Sequence, residues 1–415
     1  MVTTLLLFLL PAHVSIVAGQ SGRKTPPQLR AAPDQPEAAF VPDSKRDEYQ
    51  LIFSKISEAE KSNTTLGSWD RREYHMASFS DDLTRVGSQG YRLISIAFAP
   101  RLAVLRRADH QYEYAVVQIL SRRQIFPNNP QFELTYESWA REGFRVADYF
   151  VLFDWCEQDI SNDGMPVLPD CTYSSIVVLE RRIGVRLPHE YDIINGPLTF
   201  STKKLEGELL EEINDVRTTN LYPTHMLTKS QLLRQSPSSI DDVALADYEI
   251  EIVAGDMKKR TNALAQQGYR LIIRPLLDAA VMHRKKDVTD PSSYIWVREK
   301  NIEQELARLQ EQGAIYRMNY GCTNGLTDRT EMIFERPSIR DGKQREYKIL
   351  TIELKPLRNE AKEDSEFELS SGSKNGIQEF RRLTEEGFAV RDFFGCHLSD
   401  KKRPSQFRIF LERVR

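Results

Sequence analysis

The sequence predicts an α+β protein made of tandem β-α-β-β units, each an antiparallel sheet with one packed helix, with cores shared between units. Three observations support this fold class. A glycine followed by an apolar residue and a strand recurs five times, apolar residues before each glycine keep helical spacing, and strand-like segments flank each copy. Such self-similarity is typical of repeat proteins. The five glycines are Gly90, Gly143, Gly268, Gly313 and Gly387.

The predicted helix of each unit has one mostly apolar stripe. Residues four, seven and eleven before each glycine lie on one face of a helix with 3.6 residues per turn. Glycine then ends the helix, because it adopts the left-handed conformation without a Cβ clash. The stripes are Val86, Leu83 and Phe79; Trp139, Tyr136 and Phe132; Leu264, Thr261 and Met257; Leu309, Leu306 and Ile302; and Leu383, Phe380 and Ile377, the last shifted by one residue.

Strands are predicted on both sides of each helix, and the residues one and three after each glycine share one face of the middle strand. First strands are predicted at 49–53, 112–117, 248–252, 294–297 and 347–352. Closing strands, each ending in arginine, are predicted at 104–107, 176–181, 281–284, 333–336 and 409–413.

These motifs resemble a small bacterial domain class of unknown function. The pattern is Tyr-x-Tyr-x-Val-Val, a helix, Gly-aromatic-x-Leu and a final Leu-x-Arg. The resemblance implies this fold in tandem copies and implies no activity. A unit of about 45 residues buries too little apolar surface to be stable alone, so neighbouring units are expected to share cores.

The predicted organisation has eight segments. Between units two and three the pattern breaks, and two interpretations stay open: a degenerate sixth unit opened by Tyr191–Ile194, or a linker with a bracing helix over Leu205–Val216. The segments are a signal peptide (1–19), a Pro/Ala-rich linker (20–47), unit 1 (48–109), unit 2 (110–184), the insert or degenerate unit (185–243), unit 3 (244–288), unit 4 (292–338) and unit 5 (344–415).

The first residues predict export to the periplasm or the outside of the cell. The apolar run from Leu5 is too short for a membrane span and suits a signal-peptide core, although no Lys or Arg precedes it. No membrane span is predicted after cleavage. The 57 basic and 60 acidic residues are well mixed, with a net charge of −3. This charge pattern predicts no nucleic-acid partner.

Four cysteines in an exported chain predict two disulfides. Cys156 and Cys171 bracket a long hairpin, and closing that loop would stabilise the chain by about 3 kcal/mol. Cys322 and Cys396 each lie nine residues after the glycine of their unit. Equivalent positions meet where two units pack about a pseudo-twofold axis, which predicts a Cys322–Cys396 bridge. Free thiols or the opposite pairing remain alternatives.

A calcium loop is one interpretation of the hairpin tip. Asp159, Ser161 and Asp163 provide oxygen atoms at positions one, three and five, Gly164 follows, and Asp170 stands at position twelve. A plain Asp/Asn/Gly turn has the same composition. No other cofactor is predicted, since the cysteines and histidines lack zinc-ligand spacing.

Arginines after the glycine form the other candidate site. Arg92, Arg145 and Arg270 follow the Gly-aromatic pair in three units. Their guanidinium groups would bind an anionic glycan, a peptide or another protein. The alternative is pairing with glutamates of neighbouring strands.

The sequence has no nucleophile elbow, no phosphate-binding loop and no His-Glu-x-x-His motif. His283 is interpreted as a partly buried aromatic of a closing strand. The predicted function is therefore an exported, non-enzymatic binding or structural module of unknown ligand. Two alternatives remain: a hydrolase-like enzyme with a site assembled between units, and a calcium-dependent adhesion or stability module.

Overall fold

Six antiparallel sheets and five helices make up the part of the chain that the computed structural model describes. All of it lies in the compact unit Glu37–Arg415. The predicted signal peptide and linker, residues 1–47, lie outside the described residues. The described residues are 48–53, 73–97, 102–122, 130–157, 170–186, 188–195, 221–227, 231–235, 248–273, 279–320, 331–356, 367–369, 371–394 and 405–415.

The elements follow the predicted alternation of strands and helices. The helices are α1 (Ala77–Gly87), α2 (Pro130–Arg141), α3 (Met257–Ala265), α4 (Ile302–Glu311) and α5 (Ser371–Glu385). The strands are β1 (Tyr49–Phe53), β2 (Glu73–His75), β3 (Tyr91–Ala97), β4 (Leu102–Arg107), β5 (Tyr112–Arg122), β6 (Arg145–Glu157), β7 (Asp170–Arg182), β8 (Tyr191–Asn195), β9 (Tyr222–Met226), β10 (Gln231–Gln235), β11 (Tyr248–Ala254), β12 (Arg270–Leu271), β13 (Ala279–Lys285), β14 (Ser292–Arg298), β15 (Ile315–Tyr320), β16 (Glu331–Pro337), β17 (Arg345–Pro356), β18 (Phe367–Leu369), β19 (Ala389–Phe394) and β20 (Ser405–Val414).

Every sheet has the same core topology, in which the closing strand lies between the first and the middle strand. The orders are β1-β4-β3, β5-β7-β6, β8-β10-β9, β11-β13-β12, β14-β16-β15 and β17-β20-β19. All pairings are antiparallel, which confirms the predicted α+β class with antiparallel sheets. In the five predicted units the strand that we call the middle strand, from its place along the chain, is the one that follows the helix-ending glycine.

The segment 185–243 contains one of these sheets. Strands β8, β9 and β10 pair in the shared order, and Leu232 and Leu233 of the central strand are fully buried. We call this the insert sheet. The helix predicted over Leu205–Val216 lies outside the described residues, so the sheet is the only part of the two open interpretations that the structure shows.

Each helix ends just before its predicted glycine. All five glycines have positive φ: 86° at Gly90, 88° at Gly143, 92° at Gly268, 64° at Gly313 and 89° at Gly387. Most of the predicted stripe is buried, since these side chains pack against the sheets. Leu264, Leu306 and Ile377 are half-buried, and the side chain of Phe132 is outside the described set.

Neighbouring units share apolar cores, as predicted for units this small. One core joins Phe79 of unit 1 to Tyr114 of unit 2. A second joins units 3 and 4, and a third joins units 4 and 5. A fourth joins Tyr49 of unit 1 to Phe388 of unit 5, the first unit to the last. Together with contacts of the insert sheet on both sides, these cores close the chain into a ring.

A repeated hydrogen bond crosses the contacts between units. The amide three residues after the glycine donates to a buried tyrosine hydroxyl on the first strand of the next unit. The bonds are Leu93 N to Tyr114 Oη at 2.8 Å, Leu271 N to Tyr294 Oη at 2.7 Å and Tyr316 N to Tyr347 Oη at 3.3 Å. The amide of Val390 donates likewise to Tyr49 between units 5 and 1. From unit 2, Val146 N donates instead to Gln235 Oε1 of the insert sheet, at 2.7 Å.

Two strands extend the predicted scheme. Strand β2, which belongs to the predicted unit 1, pairs with β5 of unit 2, and β18 pairs with β17 inside unit 5. Both β5 and β17 are long first strands at a sheet edge. Covering an exposed edge satisfies its unpaired amides and carbonyls, which explains the added strands.

Two of the four cysteines lie in the described residues. The register of β6 and β7 sets Cys156 opposite Cys171. Cross-strand neighbours in an antiparallel pair approach closely enough for a disulfide, so the pairing stays a prediction compatible with the backbone. Cys322 and Cys396 lie outside the described residues.

Candidate functional site

Five of the six middle strands have a bulge at one fixed position of the unit. In β3, β6, β15 and β19 the pairing register skips the fourth residue after the glycine, and β9 skips the corresponding Thr224. In unit 3 the pairing of β12 ends at Leu271, one residue before that position. A bulged residue leaves the alternation of the ladder and changes the direction of the side chains after it.

These bulges converge on one cavity of about 280 Å3, which we call the central cavity. The fourth and fifth residues after the glycine of all five units line it, and β9 of the insert sheet contributes the equivalent pair. The lining residues are Ile94 and Ser95, Ala147, Asp148 and Tyr149, Thr224 and His225, Ile272 and Ile273, Arg317 and Met318, and Arg391 and Asp392.

The lining has an apolar part and a charged part. Unit 3 contributes Ile272 and Ile273, and Met318 of unit 4 follows them along the chain. Both arginines come from the consecutive units 4 and 5, at the same position of the repeat. The central cavity therefore combines an apolar wall with two adjacent cationic groups.

Asp392 is the most connected polar group of the lining. It is 5% exposed and accepts hydrogen bonds from the Tyr316 hydroxyl at 2.7 Å, from its neighbour Phe393 N at 2.8 Å and from Ser95 Oγ at 3.4 Å. These donors come from units 4, 5 and 1. Asp392 thus fixes three units around the cavity.

Arg317 and Arg391 are each anchored by a buried glutamate. Arg317 Nε donates to Glu335 Oε2 at 2.6 Å, and Arg391 Nε donates to Glu412 Oε2 at 2.5 Å. The glutamate side chains are 2% exposed, whereas the arginine side chains are 36% and 45% exposed. Buried carboxylates therefore hold two guanidinium groups on side chains that remain partly exposed.

The three arginines proposed from the sequence lie two residues before the bulge. Arg92 Nη2 lies 2.7 Å from Glu180 Oε1, and Arg145 Nε lies 3.4 Å from the same oxygen. Arg270 pairs with Glu335 and with Asp290. Glu180 is 2% exposed, and the described lining of the central cavity includes none of these three arginines.

Three of the closing arginines have a shared structural role. The guanidinium carbon lies over the aromatic ring that follows the glycine, at 4.3 Å for Arg181, 4.7 Å for Arg284 and 4.4 Å for Arg413. Each also binds a first-strand glutamate and the carbonyl just before the glycine. These arginines therefore complete the C-terminal ends of the helices.

Burial lowers the pKa values of two histidines. His283 is partly buried, as predicted, and stacks on Tyr248 with 4.6 Å between ring centroids. Burial, together with repulsion from Arg317 and Arg270, lowers its pKa to about 4. Burial beside Arg145 lowers the pKa of His189 to about 4. Both rings are therefore neutral at physiological pH.

The predicted calcium loop is not placed. Asp159, Ser161 and Asp163 lie outside the described residues, and Asp170 begins β7. Within the described ranges, no group of three or more His, Cys, Asp or Glu residues is arranged to hold a metal ion. Calcium binding at the hairpin tip stays a prediction.

Sequence reasoning missed the cavity residues, although a signal was present. Aligning the chain on its five glycines places Arg317 and Arg391 at the same offset, as it does Asp148 and Asp392. Strand alternation alone would put the fourth residue on the outer face. Only the bulge turns this position towards the axis.

Comparison with known proteins adds no relative. No protein-family model, curated protein or solved structure matches the chain significantly. None of the described helices is long and apolar enough to cross a membrane. Function must therefore be argued from the geometry of the central cavity.

Proposed function

We propose that the chain is an exported, non-enzymatic binding protein of six tandem β-α-β-β units whose ligand site is the central cavity. One observation carries the proposal: the same two positions of every unit line a single cavity. A purely structural ring would gain dispersion energy by filling its axis with apolar side chains. This axis instead keeps space lined by charged and apolar groups together, which is typical of ligand sites.

The insert sheet is the sixth unit in this proposal. Asn220 precedes its middle strand at the glycine position, and asparagine also tolerates the left-handed conformation. Leu221 is then the buried residue after it, and Thr224 and His225 reach the cavity at the repeat's usual offsets. Six units of one kind explain why every unit reaches the cavity at the same offsets.

The size of the cavity limits the class of ligand that it can hold. The volume of about 280 Å3 lies just below the 300–1,000 Å3 that is usual for small-molecule pockets. A folded protein or an extended glycan would need a larger or more open surface. The sequence raised a protein, peptide or glycan partner, and a small molecule suits this cavity better than any of them.

A cavity-filling variant tests the proposal. Ala147 lines the cavity, so Ala147→Phe should fill it and abolish the thermal shift given by any small molecule that binds the wild type. The control is Ala263→Phe on the exposed face of α3, which should leave the shift intact. The proposal is wrong if a broad panel of anionic, cationic and neutral compounds yields no ligand sensitive to Ala147→Phe.

A hydrolase-like enzyme is the second candidate, because titratable groups converge between units. Asp148, His225 and Asp392 line the same cavity. Clusters of this kind are frequent in active sites. Hydrolysis of a model ester or glycoside that Asp148→Asn abolishes at unchanged melting temperature would favour the enzyme over the binding protein.

A further inference from the structure

We propose that the ligand of the central cavity is a small organic carboxylate with an apolar body, held by Arg317 and Arg391. The inference rests on the proposed function and adds the chemical class of the ligand. It follows from the open donors of the two arginines, the charge around them and the apolar wall beside them.

The first step is the number of donors left for a ligand. A guanidinium has five N–H donors, and both arginines direct their Nε edge at a buried glutamate. Among the described residues, no hydrogen bond engages Nη1 of Arg317 or either Nη of Arg391. Both side chains are more than a third exposed and line the cavity. Planar donors of this kind match the two oxygens of a carboxylate.

The second step is the sign of the charge. Glu335 also binds Arg270, and Glu412 also lies 3.3 Å from Arg345 Nε. Each buried carboxylate is therefore shared by two cations. The further acids on these second arginines are Asp290 and Asp341, which are 54% and 35% exposed and so screened by water. This wall of the cavity favours an anion.

Two acids also line the cavity. Asp392 is already matched by three hydrogen-bond donors, so its oxygens are occupied. Asp148 belongs to unit 2, which is not adjacent to units 4 and 5 in the ring, and accepts a hydrogen bond from Tyr149 N. The anion is therefore expected at the arginine wall rather than on the Asp148 side.

The third step is the apolar wall. Ile272, Ile273 and Met318 lie next to Arg317 in the order of units around the ring. Burying an apolar ligand body against them removes hydrocarbon from water, which favours binding. Inorganic phosphate has no such body, so a carboxylate with a hydrocarbon part suits the cavity better.

The experiment measures binding of benzoate, phenylacetate and hexanoate to the full chain by calorimetry, with their amides and inorganic phosphate as matched probes. We expect at least one acid to bind, its amide to bind at least tenfold more weakly, and phosphate to bind more weakly still. If none of the three acids binds, or if an amide binds as well as its acid, the inference is wrong. A neutral ligand that Ala147→Phe abolishes would leave the proposed function standing.

Two variants measure the contribution of Arg391 to binding without leaving the buried Glu412 carboxylate unpaired. Glu412→Gln keeps the Arg391 guanidinium, and Arg391→Gln/Glu412→Gln removes the whole pair. We expect the acid to bind the double variant at least tenfold more weakly than Glu412→Gln, while Arg381→Gln, on the exposed face of α5, matches the wild type. Equal affinity in Glu412→Gln and the double variant would overturn the role of Arg391.

Discussion

Two contacts avoid an unpaired buried amide in opposite ways. One joins units 3 and 4, and the other joins the insert sheet and unit 3. At the first, Leu271 N donates to the Tyr294 hydroxyl. At the second contact, Pro223 occupies the position of Leu271 and has no N–H to donate. Ile250 occupies the position of Tyr294 and has no hydroxyl. Ile250 pairs with His283 of the closing strand, as Tyr294 pairs with Glu335. The donor and the acceptor have been lost together.

This difference shows what the ring tolerates. A buried amide without a partner costs about 1–3 kcal/mol, whereas losing both partners is nearly neutral. Unit contacts therefore vary in sequence as long as no buried polar group is left unpaired. The following four predictions test this comparison, from the largest expected effect to the smallest.

Gly87→Ala should disrupt the contact between units 1 and 2 most strongly. A Cβ at Gly87 would lie 2.4 Å from the Tyr112 carbonyl oxygen and 2.8 Å from Tyr114 Cε2. The helix would have to move off the next unit, which costs about 3 kcal/mol by overpacking. Denaturant unfolding measures the loss.

The matched control is Gly376→Ala in α5. Its Cβ would lie 3.2 Å from Ile352 Cγ1, a contact that a shift of a few tenths of an ångström relieves. Alanine favours the helix by about 1 kcal/mol over glycine, so little net change is expected. Equal losses at Gly87 and Gly376 would show that the close approach of α1 to unit 2 does not matter.

Tyr114→Phe should remove the acceptor of the Leu93 amide and leave a buried N–H unpaired. We expect a loss of about 1–3 kcal/mol in the free energy of unfolding. Tyr248→Phe is the control, because Tyr248 is half-buried against His283 at the contact that lacks this bond. If both changes cost the same, the repeated hydrogen bond is not what distinguishes the contacts.

Acid should destabilise the protein through His283, which takes the place of Glu335 in unit 3. Its folded pKa of about 4 lies below the ordinary value of 6.5. The unfolded state therefore binds the proton first, so stability is present above pH 6.5 and lost as the pH falls towards 4. Allowing for partial exposure, we expect a loss of about 1–2 kcal/mol.

His283→Phe should reduce this pH dependence, measured as the unfolding free energy at pH 7 and pH 4.5. His189, with a similarly lowered pKa, contributes in the same direction. The control is His110→Phe, at an exposed histidine. A slope that is the same in the wild type and in His283→Phe would contradict the assignment.

Rebuilding the missing hydrogen bond gives the smallest effect. Pro223→Val adds an amide donor, and Ile250→Tyr adds the hydroxyl that other units have at this position. We expect each single change to destabilise the chain, and the double variant to recover about 1 kcal/mol as a coupling energy. A coupling of zero in the double-mutant cycle would show that these two positions do not face each other as Leu271 and Tyr294 do.

Much of the fold was predictable because it is local. The glycines with positive φ, the apolar faces of the helices and the closing strands all follow from residue spacing within about 50 residues, which periodicity reports directly. Phe79, Leu83 and Val86 are buried as predicted. Strand β2 was not predicted, because its partner β5 lies in the next unit.

The candidate site was less predictable. Arg92, Arg145 and Arg270 were chosen because they recur after the glycine, and they lie on buried glutamates of closing strands. Arginine is found at the position of Arg317 and Arg391 in only two units. Strand alternation would place these side chains on the outer face of the sheet, away from the cavity. A bulge, which depends on cross-strand pairing, brings them to the cavity.

The sequence alone determined the unit: one helix, its glycine and the strands around it, since each depends on side chains close together in the chain. The tertiary structure decided which units touch, that the first joins the last, and that the middle strands of all six sheets face one cavity. Those features depend on contacts between residues hundreds of positions apart, such as Ser95 with Asp392. No spacing within a single unit encodes them.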